Sequence, residues 1–341
     1  MIIPSLLLSI LLVGQDDASR TAEDIVRELE RIYFPQHSGG ADPESIARFH
    51  EQVREASDQT QALALELFEL APEHEAVPKW MQSRWSLMVN VDHNGEGVLA
   101  ETERALERYE GKALGVIALY QQAYATIETD RFDRTAKLAA VSRFEEVAPG
   151  SESWARLLWM IAEEHSPSPE AKKALAERIV GSAPEKIIPR KRAQALLDAA
   201  GRIGQPFALH FKDALSGEPV SIEDFRGQVV VVLFWGAGEL HDPQLPRMKR
   251  LIDEHADTVA VIGVMQGASM HDETMAKARE AGLPTFDELA AEDATPWSCF
   301  SHEQGIRRWP QAYVIDRAGR LAAVQAIETL EDIVARQVRR R

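Results

Sequence analysis

A chain of 341 residues with 45% hydrophobic content is long enough for about two domains and can bury a substantial core. Its net charge of −16, from 38 Lys and Arg against 54 Asp and Glu, excludes a general nucleic-acid binder, which needs a clustered positive footprint. A single cysteine, Cys299, excludes an intrachain disulfide, a disulfide-built scaffold and any two-cysteine metal or redox motif.

The first element is apolar throughout, from Ile2 to Gly14. As a helix it would rise about 20 Å, short of the roughly 30 Å hydrocarbon core, so it has the length of a signal-peptide apolar region rather than of a membrane span. No Lys or Arg precedes it and Pro4 interrupts it. Residues 1–18 are therefore expected to be a signal peptide, which places the protein in the periplasm or otherwise outside the cytoplasm. A buried N-terminal helix is the alternative.

Residues 19–203 show an almost uninterrupted helical pattern. Asp42-Pro43-Glu44 and Ser168-Pro169-Glu170 each combine an N-cap residue, a proline at the first helical position and an acid in the first turn. Apolar residues recur at three and four, as in Leu63, Leu67 and Leu70, and a second segment carries Leu114, Ile117, Leu119 and Ala123. Ala71-Pro72, Ala148-Pro149 and Ala183-Pro184 share a turn, and the last two prolines lie 35 residues apart, a spacing typical of stacked helix pairs. Trp80, Trp85, Trp154 and Trp159 are expected to pack between helices rather than line a groove. Gly95-Glu96-Gly97-Val98-Leu99-Ala100 fits a dinucleotide-binding pattern, but no convincing strand precedes it and Asp92 and Glu96 would oppose a pyrophosphate, so it is read as a turn between helices.

After residue 204 the texture changes. Val229 to Trp235 is a β-branched and aromatic run suited to a central strand covered on both faces. A helical pattern (242–255), a second buried strand (259–265), another helix (270–281), two strands around the Ala318-Gly319 turn (312–316 and 320–325) and a closing helix (328–340) follow. This order implies an α/β sandwich around a mixed sheet.

Here the residues resemble a family. Gly204-Gln205-Pro206-Phe207, Gly217-Glu218-Pro219-Val220-Ser221, Asp224-Phe225-Arg226-Gly227 and the strand ending Phe234-Trp235 come in the order seen in thioredoxin-fold redoxins of the TlpA-like and AhpC/TSA type. Gly305-Ile306-Arg307-Arg308-Trp309-Pro310, followed by Tyr313-Val314-Ile315-Asp316 and Gly319-Arg320, resembles the family's later proline segment and closing hairpin. The resemblance covers residues 204–341. It implies a thioredoxin-like three-layer α/β/α sandwich behind an all-helical, helix-pair domain, an α + α/β chain. By the same resemblance Pro310 would be the cis-proline beside the active site.

The departure from the family lies in the loop. The family carries Cys-x-x-Cys after this strand, at a helix N-terminus that lowers the first thiol's pKa. This chain has Gly236-Ala237-Gly238-Glu239-Leu240-His241-Asp242-Pro243, so the cysteine positions become Glu239 and Asp242 or, in the other register, Gly238 and His241. Neither pair can form a mixed disulfide. The expected function is therefore a non-catalytic binding or scaffold module, with an extended peptide or protein partner held in a groove at Trp235, Trp309 and Pro310 through main-chain pairing that needs no sulfur. No cofactor and no nucleic acid is expected. Two alternatives stay open: a thiol-disulfide oxidoreductase or redox sensor using Cys299 alone, and a divalent-metal site at Glu239, His241 and Asp242 with His271 as a fourth ligand.

Overall fold

The computed structural model describes residues 20–36, 43–236, 244–255, 257–266, 271–288, 300–306, 309–324 and 326–340. Residues 1–18, expected to be a signal peptide, the loop bearing Gly238, Glu239, His241 and Asp242, and Cys299 lie outside these residues. The chain forms two compact units, Met1–Val147 and Ala148–Arg341.

The first unit is helical: α1 (Ala22–Leu29), α2 (Pro43–Leu70), α3 (Val77–Asn90), α4 (Gly95–Tyr109), α5 (Ala113–Glu128) and α6 (Arg134–Glu145). Side-chain caps set several starts. Thr21 and Asp24 form a capping box, Asn94 accepts from the Gly97 N–H at 2.9 Å, and Asp133 accepts from the Ala136 N–H at 2.8 Å. The glycine pattern at 95–100 is thus the capped start of α4, and the run before it is the end of α3. Ile25, Leu67, Trp85, Val98 and Ala118 lie in the core, each 0% exposed. Arg84 engages Glu101 bidentately, and the Trp85 indole donates to the same carboxylate at 3.0 Å, so the buried aromatic has its one polar atom satisfied.

The second unit begins with α7 (Glu152–Glu164), α8 (Pro169–Ser182) and α9 (Ile188–Gly201). Ser168 caps α8 as its sequence suggests, accepting from the Ala171 N–H at 3.2 Å. Trp154 and Trp159 are buried, as the core reading expects. Compactness therefore groups three helices with the sheet, whereas chain texture changes only near residue 204.

A two-stranded hairpin follows, β1 (His210–Lys212) with β2 (Pro219–Ser221). Then come β3 (Val229–Gly236), α10 (Gln244–His255), β4 (Val259–Gln266), α11 (His271–Ala281), β5 (Thr285–Asp287), the short α12 (Phe300–Glu303), β6 (Gln311–Ile315), β7 (Leu321–Ala323) and α13 (Leu330–Arg339). The five strands align in the order β5-β4-β3-β6-β7. β3 runs parallel to β4 and antiparallel to β6, and β6 turns back into β7. The continuous apolar run thus occupies the centre of the sheet. Val229, Val231, Leu233 and Trp235 pack with Leu245, Met248, Leu330 and Val334 of α10 and α13. Phe234 points the other way, 5.1 Å from the Tyr313 ring and 6.2 Å from Phe300. This is the thioredoxin-like sandwich that the sequence implied.

Both sheet edges are closed by chain from just before the sheet. On β7, the Gly204 N–H donates to the Leu321 carbonyl at 2.8 Å and the Leu321 N–H to Gln205 at 2.9 Å. On β5, the Ala214 N–H donates to the Thr285 carbonyl at 2.9 Å. Where they are paired, the edges offer no template for another strand.

Candidate functional site

With the edges closed, main chain available for pairing has to be sought elsewhere. The turn leading into β6 provides it. The Trp309–Pro310 peptide is cis, as the resemblance implied. Neither the main-chain N–H nor the carbonyl of Trp309 is hydrogen-bonded to another described residue. Both residues are partly buried and border a cleft of about 290 Å³. Gln311, only 5% exposed, also lines it, and its side-chain oxygen meets no donor among the described residues.

One wall comes from α10. Gln244 and Arg247 face the cleft together with Ile327. Arg247 is held in place: it pairs bidentately with Glu331 of α13, donates to the Ile327 carbonyl at 2.8 Å and to the Gln244 side chain at 3.0 Å. The Arg247 hydrogen bond, opposed by partial burial, keeps the Glu331 carboxyl below its ordinary value. The opposite wall is Glu163 and Glu164, in the last turn of α7.

Of the three groove residues expected from the sequence, Trp309 and Pro310 lie on this cleft. Trp235 is 2% exposed and sits in the core beside Met248. Gly263 on the neighbouring strand makes room for it, since a Cβ there would come within 3.0 Å of the indole nitrogen. His271 opens α11, but its side chain lies outside the description, as do the other metal-ligand candidates. Sequence reasoning did not name Gln311, Gln244, Arg247, Glu163 or Glu164. Gln311 carried a signal, a lone amide at the head of an apolar strand, but the pairing of α7 with this turn had none.

Beneath the site, the Tyr313 hydroxyl donates to the Gln304 carbonyl, which also takes Arg202 at 3.5 Å. Burial pushes that phenol well above its ordinary pKa and keeps it neutral. The segment before Trp309 is thereby anchored to the sheet.

Residues 201–324 match the model of the AhpC/TSA family. Over these residues the chain resembles an AhpC/TSA redoxin domain. A solved thioredoxin domain of a thiol-disulfide oxidoreductase from Bacteroides vulgatus is 20% identical, over 39% of this chain and 97% of that one, with a TM-score of 0.29. A putative thiol:disulfide interchange protein DsbE from Chlorobium tepidum is 19% identical over 40% and 95%, with a TM-score of 0.30. A DsbF homologue from Corynebacterium diphtheriae is 17% identical over 40% and 88%, with a TM-score of 0.32. None of the curated proteins matches. The redoxin domain belongs to a chain with one cysteine, so a two-cysteine exchange cycle within it is chemically unavailable.

Proposed function

We propose that the protein is an exported, non-catalytic redoxin that holds an extended peptide or protein segment at the Trp309–Pro310 turn. The observation that carries this reading is the main chain of Trp309, which bonds to no other described residue, on the rim of a cleft of about 290 Å³, in a sheet whose edges are engaged at Leu321 and Thr285. An extended ligand supplies the complementary N–H and C=O, and side-chain contacts in the cleft supply selectivity. The cleft is at the small end of the range for ligand pockets, roughly 300–1,000 Å³, which suits one or two residues of a bound chain. The apolar Ile2–Gly14 segment supports export.

The test has two arms. Insulin reduction by the purified protein is expected at background rate, unchanged in Cys299→Ser; turnover that disappears with Cys299 would replace this reading with a single-thiol oxidoreductase. Binding of an extended, proline-free peptide library is expected, with crosslinks mapping to Trp309 and its neighbours. A library that fails to bind sinks the groove.

A further inference from the structure

The cleft has one feature that a redoxin domain by itself does not provide: its second wall is a helix from before the domain. We propose that the end of α7 makes the groove selective for basic side chains, so that the bound segment presents an Arg or Lys opposite Glu163 and Glu164. This rests on the peptide-binding reading above and narrows its ligand class.

The groups that face the cleft favour a cation. Glu163 and Glu164 bring two carboxylates, and they occupy the last turn of α7, where the helix's own carbonyl ends add negative potential. Gln311 adds a nearly buried carboxamide oxygen that takes no donor among the described residues. The cation on the opposite wall, Arg247, already serves Glu331, the Ile327 carbonyl and Gln244. Among the described residues lining the cleft, two carboxylates (Glu163, Glu164) face one cation, Arg247, which Glu331 already neutralises; Lys172 shares a small adjoining cavity with Glu163. Arg307 and Arg308 fall outside the described residues.

Both wall glutamates have partners within the protein. The proposal does not need them free: an ionised carboxylate has about four lone-pair sites and takes further donors. A guanidinium or ammonium group entering from the ligand meets acceptors on α7 and on Gln311 while the ligand main chain pairs at Trp309. A carboxylate at the same place would meet like charge in a partly enclosed site.

The experiment is fluorescence anisotropy on the full chain with labelled alanine-based peptides carrying a central Arg, Leu or Glu. At low salt the Arg peptide is expected to bind about tenfold tighter than the Leu peptide, with the Glu peptide weakest. Raising salt from about 50 to about 300 mM should shrink the Arg advantage, because screening acts on charge and leaves main-chain pairing alone. The double variant Glu163→Gln, Glu164→Gln should lose most of the Arg peptide's advantage over the Leu peptide. Equal binding of all three peptides by the native protein, or a preference for Glu, overturns the charge selectivity while leaving the groove standing. Failure of every peptide overturns the groove itself. The salt series on the native protein decides the matter even if the double variant does not fold.

Discussion

The Asp213 carboxylate accepts the main-chain N–H of Thr285 at 2.7 Å, across 72 residues of sequence. The same carboxylate accepts from the Ser216 N–H at 3.0 Å and from the Leu215 N–H at 3.3 Å. One nearly buried side chain thus folds the turn after β1 and fastens it to the edge strand β5. Burial alone would raise its pKa, but the Ser216 hydroxyl and the three N–H donors outweigh it and hold the carboxyl below its ordinary 3.8. A depressed folded pKa means that the unfolded chain takes up the proton first as pH falls. The stabilisation is therefore complete at neutral pH, begins to fade near the unfolded value of 3.8, and is gone below the folded value. Asp213→Asn is expected to cost about 2 kcal/mol at pH 7. The gap between variant and native protein should close progressively below about pH 4, as read by urea denaturation at several pH values; a gap constant with pH would deny the carboxylate this role.

Arg247 joins α10 to α13 through both oxygens of Glu331 and through the Ile327 carbonyl. Its side chain is 19% exposed and that of Glu331 is 55% exposed, so water screens the pair and its worth is modest. Arg247→Lys keeps the charge but loses the fork that reaches Glu331 and Ile327 together. A loss of about 1 kcal/mol is expected, or roughly 2–4 °C in a thermal melt. Glu331→Gln should cost less, since the amide oxygen still accepts. Equal melting of Arg247→Lys and native protein would show that charge alone suffices.

The centre of the sheet was legible because β3 and β4 are unbroken apolar runs, a pattern that a strand covered on both faces produces. β5 and the β1–β2 hairpin were missed because three-residue strands carry no readable period; hydrogen bonds to Asp213 and to the opposite strand define them. At β6 the hydrophobic pattern suggested a start at Ala312, whereas the strand begins at Gln311. That residue is polar yet buried, so a reading based on hydropathy passed over the side chain that faces the cleft. The glutamates of α7 were invisible for a different reason. Nothing in local sequence connects residue 163 with residue 309, and the change of texture near 204 separated them.

Lys137 of α6 is 3% exposed and donates to the Ile127 carbonyl at 2.6 Å, in the last turn of α5. It is the fourth residue after the N-cap Asp133, and Lys172, equally buried on α8, is the fourth after the N-cap Ser168. In α6 the ammonium satisfies a helix end that would otherwise leave a carbonyl unpaired in the interior. Lys137→Met fills most of the space but supplies no donor, and a loss of about 1–2 kcal/mol is expected. Lys137→Ala also leaves a cavity and should lose about 3 kcal/mol. Denaturant midpoints of the two variants check the order; Met falling level with the native protein would mean that the stem, not the ammonium, matters.

Gly305 connects the helical part of the second unit to the groove. Its φ is +80°, a conformation that an L side chain enters only at a cost, and a Cβ built there would come within 2.8 Å of the Ala195 carbonyl oxygen on α9. Main chain on a helix gives way poorly, so the contact adds to the backbone strain. Gly305→Ala is expected to cost about 2–3 kcal/mol. Gly282 is the internal comparison: its φ is +69°, but nothing lies within 4 Å of its Cβ position. Gly282→Ala should therefore cost only the left-handed backbone, about 1 kcal/mol. The two also differ in function. Gly305 lies four residues before Trp309, so pushing it off α9 should weaken peptide binding at the cleft, whereas Gly282→Ala should leave affinity intact. If both variants lose the same stability and neither loses affinity, close packing against Ala195 does not position the groove.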